Sequence, residues 1–370
     1  MEAIRVLAEE IGPRPACSQA EHRAARWAAA RLGGSGYEVT VEDFPSRPSY
    51  FSAHASYFLI AALGALLAVP LPLVGLVLGV TGFVLYAREV DGRPLVRRHK
   101  GISHNVVARP HSADVPQLVV VAHLDSALAS LPFHPKIVNA LRPSLGALRA
   151  ALFLAPLSAA AAWLSQAEGA VPSFLWLPAL GSCAYLSFTA ALLIHAQRKM
   201  RAVAGANGNA SGVEVLMRVA ASVPGPGVWF VLTGSGGSGM IGIQSFLDEH
   251  DGELGNARFL NLDSVGAGTL VATTEEGLLR ERRADRAMWS AAEDAGAESR
   301  PFRTFPTDAT ALIARRFRAT TLIGLDDDDL VPNWHTPADI LGNIDPEAID
   351  RAERVARALV SEMARGVATP

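Results

Sequence analysis

The chain has 370 residues, of which half are hydrophobic and only 19% are charged, and its formal net charge is −3. This composition is too apolar for a disordered chain, and the small negative charge excludes the basic face that nucleic-acid binding requires. Cys17 and Cys183 lie too far apart in the sequence to indicate a disulfide scaffold or a cysteine zinc site. The first residues include no basic start followed by an apolar run, so we expect no signal peptide and a cytosolic N-terminus.

The polar parts of the chain predict alternating helices and strands. In chain order these are a helix over 18–32, strands over 37–44, 104–108 and 117–122, a helix over 211–222, a strand over 228–233, a helix over 242–250, a strand over 259–262, a helix over 280–295, a strand over 320–324 and a helix over 346–364. Ser18 and Glu21 have the spacing of a capping box at the first helix. The alternation predicts an α/β domain with a mixed, mostly parallel sheet and helices on both faces.

Two apolar runs interrupt this pattern. Residues 55–87 contain no Asp, Glu, Lys or Arg, and Glu168 is the only such residue in 150–197. A membrane-spanning helix needs about 20 mostly apolar residues, so 150–167 and 171–194 are predicted to be spanning helices joined at Glu168. Pro70 and Pro72 divide the first run, which predicts either a shallow hairpin or one kinked span.

Basic residues flank both runs and are absent from their middles. They are Arg88, Arg93, Arg97, Arg98 and Lys100 after the first run, and Lys136, Arg142, Arg149, Arg198, Lys199 and Arg201 around the second. An excess of Lys and Arg marks the cytoplasmic side of a membrane. The sequence therefore predicts a multi-pass protein of the cell membrane, in which one cytoplasmic domain (1–54, 88–144 and 198–370) is interrupted by hairpin insertions at 55–87 and 145–197. The alternative is a soluble protein that buries these runs in its core or in a dimer interface.

Polar side chains that can bind metals follow several predicted strands. His123 and Asp125 come after the strand over 117–122, Asp263 ends the strand over 259–262, and His335 lies in a loop after the last strand. The carboxyl ends of parallel strands meet at one edge of a sheet, where sites form. Histidine and carboxylate side chains are zinc ligands, and an aspartate two residues after a histidine can fix the orientation of its ring.

In order, these segments resemble the co-catalytic di-zinc aminopeptidases of metallopeptidase family twenty-eight. The resemblance runs through LAEEIGPRPACSQAEHRAARWAAARL, AHLDS, GANGNASG, NLDSVG, PTDATAL and WHTPAD, and covers essentially the whole chain outside the two apolar runs. It implies a zinc-aminopeptidase-like fold, two zinc ions that share a water and a bridging carboxylate, and a glutamate that takes a proton from that water. It further implies that His123 and Asp263 hold one metal, that His335 belongs to the other, and that Asp125 orients His123.

Three positions depart from the family pattern. The bridging aspartate is replaced by Gly208, the general base by Gly236, and a metal-binding glutamate by Gly237. Two zinc ions bring four positive charges, and Asp263 offsets only one of them. Uncompensated like charges in a pocket of low dielectric are very unfavourable. No catalytic residue set is therefore intact, and the remaining ligands His123, Asp263 and His335 allow at most one zinc ion, or none.

The sequence leaves several functional hypotheses open. The first is a membrane-anchored pseudo-peptidase whose cleft binds a peptide or a membrane-protein partner, with the lipid bilayer as a further partner and a homodimer as one arrangement. The second is an active aminopeptidase or other amide hydrolase that uses one metal at the remaining ligands. In a third, the retained acids and histidines are structural only. In a fourth, the glycines were introduced to inactivate the protein.

Overall fold

The computed structural model describes residues 1–96, 99–111, 115–133, 136–169, 171–222 and 227–365. Among these residues, nine strands form one mixed sheet. They are β1 (Glu38–Ser46), β2 (Gly101–Arg109), β3 (Leu118–His123), β4 (Val228–Thr233), β5 (Arg258–Asp263), β6 (Thr269–Glu276), β7 (Arg282–Arg283), β8 (Glu298–Phe302) and β9 (Arg318–Leu325). Their order is β1-β2-β4-β3-β5-β9-β6-β7, and β8 pairs with β6.

Helices cover the sheet and extend from one side of it. They are α1 (Glu2–Arg5), α2 (Gln19–Gly33), α3 (Phe51–Leu66), α4 (Pro72–Val90), α5 (Leu141–Ala167), α6 (Trp176–Lys199), α7 (Ser211–Ser222), α8 (Ile241–Glu249), α9 (Asp251–Leu254), α10 (Arg286–Asp294), α11 (Asp308–Ala314) and α12 (Pro346–Arg365). The four central strands, β4, β3, β5 and β9, are parallel, whereas β1, β2, β6 and β7 pair antiparallel. The expected mixed, mostly parallel α/β sheet is thus confirmed.

The central strand β3 is buried on both faces. Val120 packs in the same cluster as residues of α7 and α12, whereas its neighbours Val119 and Val121 pack with residues of α8 and α11. Successive side chains of a strand point to opposite faces, so an uninterrupted apolar strand is stable only where helices cover both. The helices thus fix the parallel strands, and with them the edge at which His123 and Asp263 end β3 and β5.

The two apolar runs form two helical hairpins, α3–α4 and α5–α6. The prolines of the first run separate two helices, so the hairpin alternative is the one observed. Three segments are long and apolar enough to cross a membrane, Pro72–Val90, Val138–Gln166 and Ser173–Lys199, while Phe51–Leu66 is a shorter apolar helix. Of the basic flanking residues, Arg97 and Arg98 lie outside the described residues.

Glycines allow the hairpin helices to approach closely. A Cβ atom on Gly64 of α3 would overlap the backbone of Gly79 in α4, and one on Gly82 of α4 would lie 2.6 Å from the carbonyl oxygen of Tyr57. A Cβ on Gly79 would lie 3.1 Å from the backbone nitrogen of Pro156 in α5. Close backbone contact through small residues is typical of helix packing in membranes.

Some local predictions are wrong in detail. The helix predicted over 280–295 begins only at Arg286, because 282–283 pair with β6 as a short strand. Ser18 accepts a hydrogen bond from the backbone of Glu21 as predicted, but the Glu21 carboxylate accepts from the Cys17 and Ser235 backbones and from the Ser103 hydroxyl. The capping box is therefore half formed, since partners distant in sequence bind its glutamate.

Candidate cleft at the strand ends

His123 lies at the end of β3 and contacts two acidic residues. Its Nδ1 atom is 3.0 Å from the carbonyl oxygen of Asp125 and 3.3 Å from Asp125 Oδ1, and its Nε2 atom is 3.9 Å from Asp263 Oδ1. Burial works against a charged ring, but Asp125 and Asp263 raise the pKa of His123 to about 9. The two carboxylates thus favour the protonated form of the ring over the neutral form.

The carboxylate of Asp125 holds the glycine loop after β4. The backbone N–H groups of Gly236 and Gly237 donate to its two oxygens at 2.7 and 3.0 Å. The side chain is 1% exposed, so these two bonds satisfy a buried carboxylate that would otherwise be costly. Asp125 thus fixes both the ring of His123 and the loop that carries Gly236 and Gly237.

The three substituted positions differ in how much space surrounds them. A Cβ atom on Gly236 would lie 2.6 Å from His123 Cβ and 2.7 Å from its Cγ. A Cβ on Gly237 would approach Asp125 Oδ2 at 3.3 Å, and one on Gly208 would approach Trp334 Cδ1 at 3.0 Å. The side chain of His123 therefore occupies the space that a side chain at position 236 would need.

The loop around Gly208 is fixed by Asp339. The backbone N–H groups of Asn207 and Gly208 donate to its two carboxylate oxygens, at 2.6 and 3.3 Å. Burial raises the pKa of Asp339 to about 6, and these backbone donors and Arg14 oppose that rise. Sequence reasoning gave Asp339 no role, although it ends the WHTPAD segment.

His335 and Asp308 enter the cleft from two other elements. Burial, and the nearby His123 cation, lower the pKa of His335 to about 3, and its Nδ1 atom is buried without a hydrogen-bond partner. Asp308 begins α11, where it accepts a hydrogen bond from the Thr233 hydroxyl at 2.7 Å, and burial raises its pKa to about 6. Asp308 was missed at the sequence level, because nothing in PTDATAL indicated which residue faces the cleft.

The residues in place do not fit a two-zinc centre. His123, Asp263 and His335 all line one cavity, yet in the described part of the chain no group of three or more His, Cys, Asp or Glu side chains is arranged to hold a metal ion. Glycine at 208, 236 and 237 supplies no side-chain oxygen, and His123 occupies part of the space where such oxygens would lie. The donor set therefore lacks the carboxylate charge that two zinc ions require.

The cavity of the cleft is shared with the apolar hairpins. Its volume is about 190 Å³, and residues from α3, α4, α5 and α6 line it together with the strand-end residues. The polar edge of the sheet and the inner ends of the hairpins thus enclose one space.

The fold is that of the zinc aminopeptidases. A zinc aminopeptidase from Bacillus subtilis superimposes with a TM-score of 0.56 at 17% identity, over 98% of this chain and 93% of that chain. A glutaminyl cyclase from Tannerella forsythia superimposes with a TM-score of 0.56 at 14% identity, over 97% of this chain and 96% of that chain. A Zn-dependent exopeptidase from Parabacteroides distasonis superimposes with a TM-score of 0.53 at 15% identity, over 98% of this chain and 97% of that chain. These identities show the fold alone.

Part of the sequence matches a family model. A model described as Peptidase family M28 matches residues 190–360, which include the glycine loops, Asp263 and His335. No curated protein sequence matches the chain. The match over residues 190–360 confirms the resemblance to this family that was drawn from the loop segments.

Proposed function

We propose that this protein is a membrane-anchored member of the M28 family that binds a ligand in its cleft without hydrolysing it. The observation that carries the proposal is the packing of His123 against Gly236, where a Cβ atom would lie only 2.6 Å away. The position of the family's general base therefore lacks a carboxylate and is also closed to one by the neighbouring side chain. Loss of a general base alone typically costs about 10²–10⁴-fold in rate.

Charge supports the same proposal. Of the three family carboxylates that would offset the metals, only Asp263 remains, and the His123 ring already lies 3.9 Å from it. Asn207 and Ser235 lie near the substituted positions, but both side chains are neutral. Glu214 is directed elsewhere, since it accepts hydrogen bonds from the Ala3 backbone and from Arg218. No zinc-bound hydroxide is therefore expected at this cleft.

Metal analysis combined with a peptidase assay tests this proposal. We expect the purified protein to hold well below one zinc per chain after dialysis and to release no N-terminal residue from a test peptide. His104→Ala is the matched control for His123→Ala, because His104 pairs with Asp43 on β1, outside the cleft. Stoichiometric zinc that is lost in His123→Ala but kept in His104→Ala, together with peptide cleavage, would establish the one-metal hydrolase instead.

The membrane part of the proposal rests on the surfaces of the hairpins. Large apolar side chains point outward from them, with Leu177 81% exposed and Leu164 64% exposed. Trp163 and Trp176 flank the tip of the second hairpin and are half-exposed, as in the aromatic belts at membrane interfaces. Arg88 and Lys199 lie in the last turns of α4 and α6, so the positively charged ends, and with them the α/β domain, are proposed to face the cytoplasm.

Fractionation tests the membrane anchoring. We expect the full chain to sediment with membranes and to stay there after washing with high salt or alkaline carbonate, because only detergent replaces lipid around such surfaces. A peripheral protein from the same cells serves as the control for the wash. Recovery of the chain in the soluble fraction without detergent would refute anchoring and favour a soluble protein with apolar interfaces.

A further inference from the structure

A pair of histidines lies where helix α2 packs on the edge of the sheet. Nδ1 of His22 in α2 is 3.0 Å from Nε2 of His104 in β2, and Nδ1 of His104 is 2.7 Å from Oδ1 of Asp43 in β1. Asp43 and His104 are directly paired across the two strands. These three described residues do not line the cleft cavity, so the cluster is separate from the candidate site described above.

The carboxylate of Asp43 determines which nitrogen of His104 is free to bind. A carboxylate accepts hydrogen bonds, so Nδ1 of His104 carries a proton and donates it to Asp43. When the ring is neutral, its Nε2 atom therefore has a lone pair on the side of His22. Metal-binding histidines typically have this arrangement, in which one ring nitrogen donates to a carboxylate and the other holds the ion. Asp43 is thus placed as the carboxylate that orients a metal ligand.

The spacing of the two facing nitrogens suits a shared metal ion. Two nitrogens that each lie about 2.0–2.1 Å from one ion are about 3.3 Å apart at the tetrahedral angle and about 2.9 Å apart at a right angle. The observed 3.0 Å lies between these values. The ring centroids are only 4.5 Å apart and the ring planes are tilted by 59°, so the rings meet at an angle instead of end to end. A small rotation of the rings therefore directs both lone pairs at one atom.

The pair is accessible to an ion from solvent. The side chain of Asp43 is 68% exposed, that of His104 is 10% exposed, and His22 is half-buried. Water molecules complete the coordination of ions at sites that keep open positions. Imidazole nitrogens favour Zn²⁺, Cu²⁺ and Ni²⁺, whereas Mg²⁺ and Ca²⁺ prefer oxygen ligands. The donor set therefore selects a late transition metal.

We propose that His22 and His104 form a binding site for one late transition-metal ion, Ni²⁺, Cu²⁺ or Zn²⁺, with Asp43 orienting the ring of His104. In the neutral pair without metal, the tautomer of His104 assigns the proton between the two rings to Nδ1 of His22. The ion takes the place of this proton, which moves to Nε2 of the same ring, so two nitrogen–metal bonds form without a change in net protonation. This inference does not depend on the proposed function, because the cleft takes no part in it.

The ion would connect α2 to the sheet beside a residue that holds the glycine loop. Glu21 precedes His22 and accepts hydrogen bonds from the backbone N–H of Ser235 at 3.1 Å and from the Ser103 hydroxyl. The two rings are brought together only by the folded chain. Because an ion that binds only the folded state stabilises it, we expect the metal to raise the Tm of the full chain.

Calorimetric titration of the full chain in detergent, without an affinity tag, tests this inference. The probes are NiCl₂, ZnCl₂ and MgCl₂, each added during the measurement, because a site with only two protein ligands releases its ion on dialysis. We expect one equivalent of Ni²⁺ or Zn²⁺ to bind and to raise the Tm, and we expect no binding of Mg²⁺ at the pair.

Variants assign the ion to the pair. His22→Ala and His104→Ala each remove one ligand, and Asp43→Ala, at an exposed position, removes the orienting carboxylate; we expect each to weaken Ni²⁺ binding at least about tenfold. His111→Ala is the matched control and should leave the Kd unchanged, because His111 is exposed and lies beyond the far end of β2. An unchanged Kd in folded His104→Ala and Asp43→Ala variants, or equal binding of Mg²⁺ and Ni²⁺, would overturn the inference.

His123→Ala distinguishes the pair from the cleft. Loss of the ion in His104→Ala but not in His123→Ala supports the inference and leaves the proposed function unaffected. Loss of the ion in His123→Ala but not in His104→Ala would assign it to the cleft and overturn the inference. Peptide cleavage by the metal-loaded protein in that case would refute the proposed function as well.

Discussion

Alanine at two adjacent glycines should have very different effects on stability. At position 236 the added Cβ atom would lie 2.6 Å from His123 Cβ and 2.7 Å from Cγ, whereas at 237 its closest neighbours are Asp125 Oδ2 at 3.3 Å and Ala127 Cβ at 3.6 Å. Neither glycine has a left-handed φ, so backbone strain does not separate them. The difference in unfolding free energy between the two variants therefore measures the contact of position 236 with His123.

The size of the expected loss of stability follows from how far the neighbouring atoms must move. Ordinary carbon–carbon contact begins near 3.5–4.0 Å, so Gly236→Ala requires His123 to move by about 1 Å away from Asp125 and Asp263. Overpacking of this kind typically costs about 1–3 kcal/mol. Gly237→Ala requires a shift of only a few tenths of an ångström by the Asp125 carboxylate, and the lower backbone entropy of the unfolded chain offsets part of this cost.

Thermal and denaturant unfolding of the two variants in the same detergent provide the measurement. We expect Gly236→Ala to lower the unfolding free energy by about 1–3 kcal/mol relative to Gly237→Ala, with a lower Tm. Equal stability of the two variants would mean that His123 does not pack on Gly236. The position of the general base would then be open to a side chain, even if the protein remained inactive.

Two further predictions concern the rest of the molecule. Gly64→Val should separate α3 from α4, because the added atoms overlap the backbone of Gly79; we expect a loss of at least about 1–3 kcal/mol, measured as a lower Tm and faster proteolysis of the hairpin. His250 is buried, which opposes its charge, but its hydrogen bonds to Glu42 and Glu253 raise its pKa. Its contribution to stability is therefore full below the unfolded pKa of about 6.5 and is lost as the pH rises through the folded pKa, so the Tm difference between the unsubstituted protein and His250→Asn should shrink as the pH rises above about 6.5.

Each of these predictions has a direct control. Gly181 lies in α6, and a Cβ atom added there would have no heavy atom within 4 Å, so Gly181→Val should leave the Tm nearly unchanged; an equal loss there would point to helix propensity instead of packing. For the pH series, Asp251→Asn changes a neighbouring exposed charge. A Tm difference for His250→Asn that stays constant or grows with pH would contradict the assigned sign.

Local periodicity made the cleft partly predictable. The sequence predicted which side chains meet at one edge of the sheet. The apolar run at 118–122 indicated a strand, and His123 and Asp263 come at the ends of two strands. Parallel strands end together, so these two side chains meet. The segments beginning at Thr269 and Glu298 were missed as strands. Polar residues interrupt the apolar pattern of β6, and its partner β9 is distant in the sequence. The partner of β8 is β6 itself, which the sequence does not reveal as a strand.

The sequence by itself determined the family resemblance, the order of the loops, the glycines at 208, 236 and 237 and the two apolar runs, because each is written in residue identity or in a continuous apolar run. Tertiary structure alone decided that Asp308 enters the cleft, that His123 packs on Gly236, and that the hairpins and the strand ends share one cavity. These features depend on contacts between segments that are distant in the sequence, and such contacts leave no periodic signal in the chain.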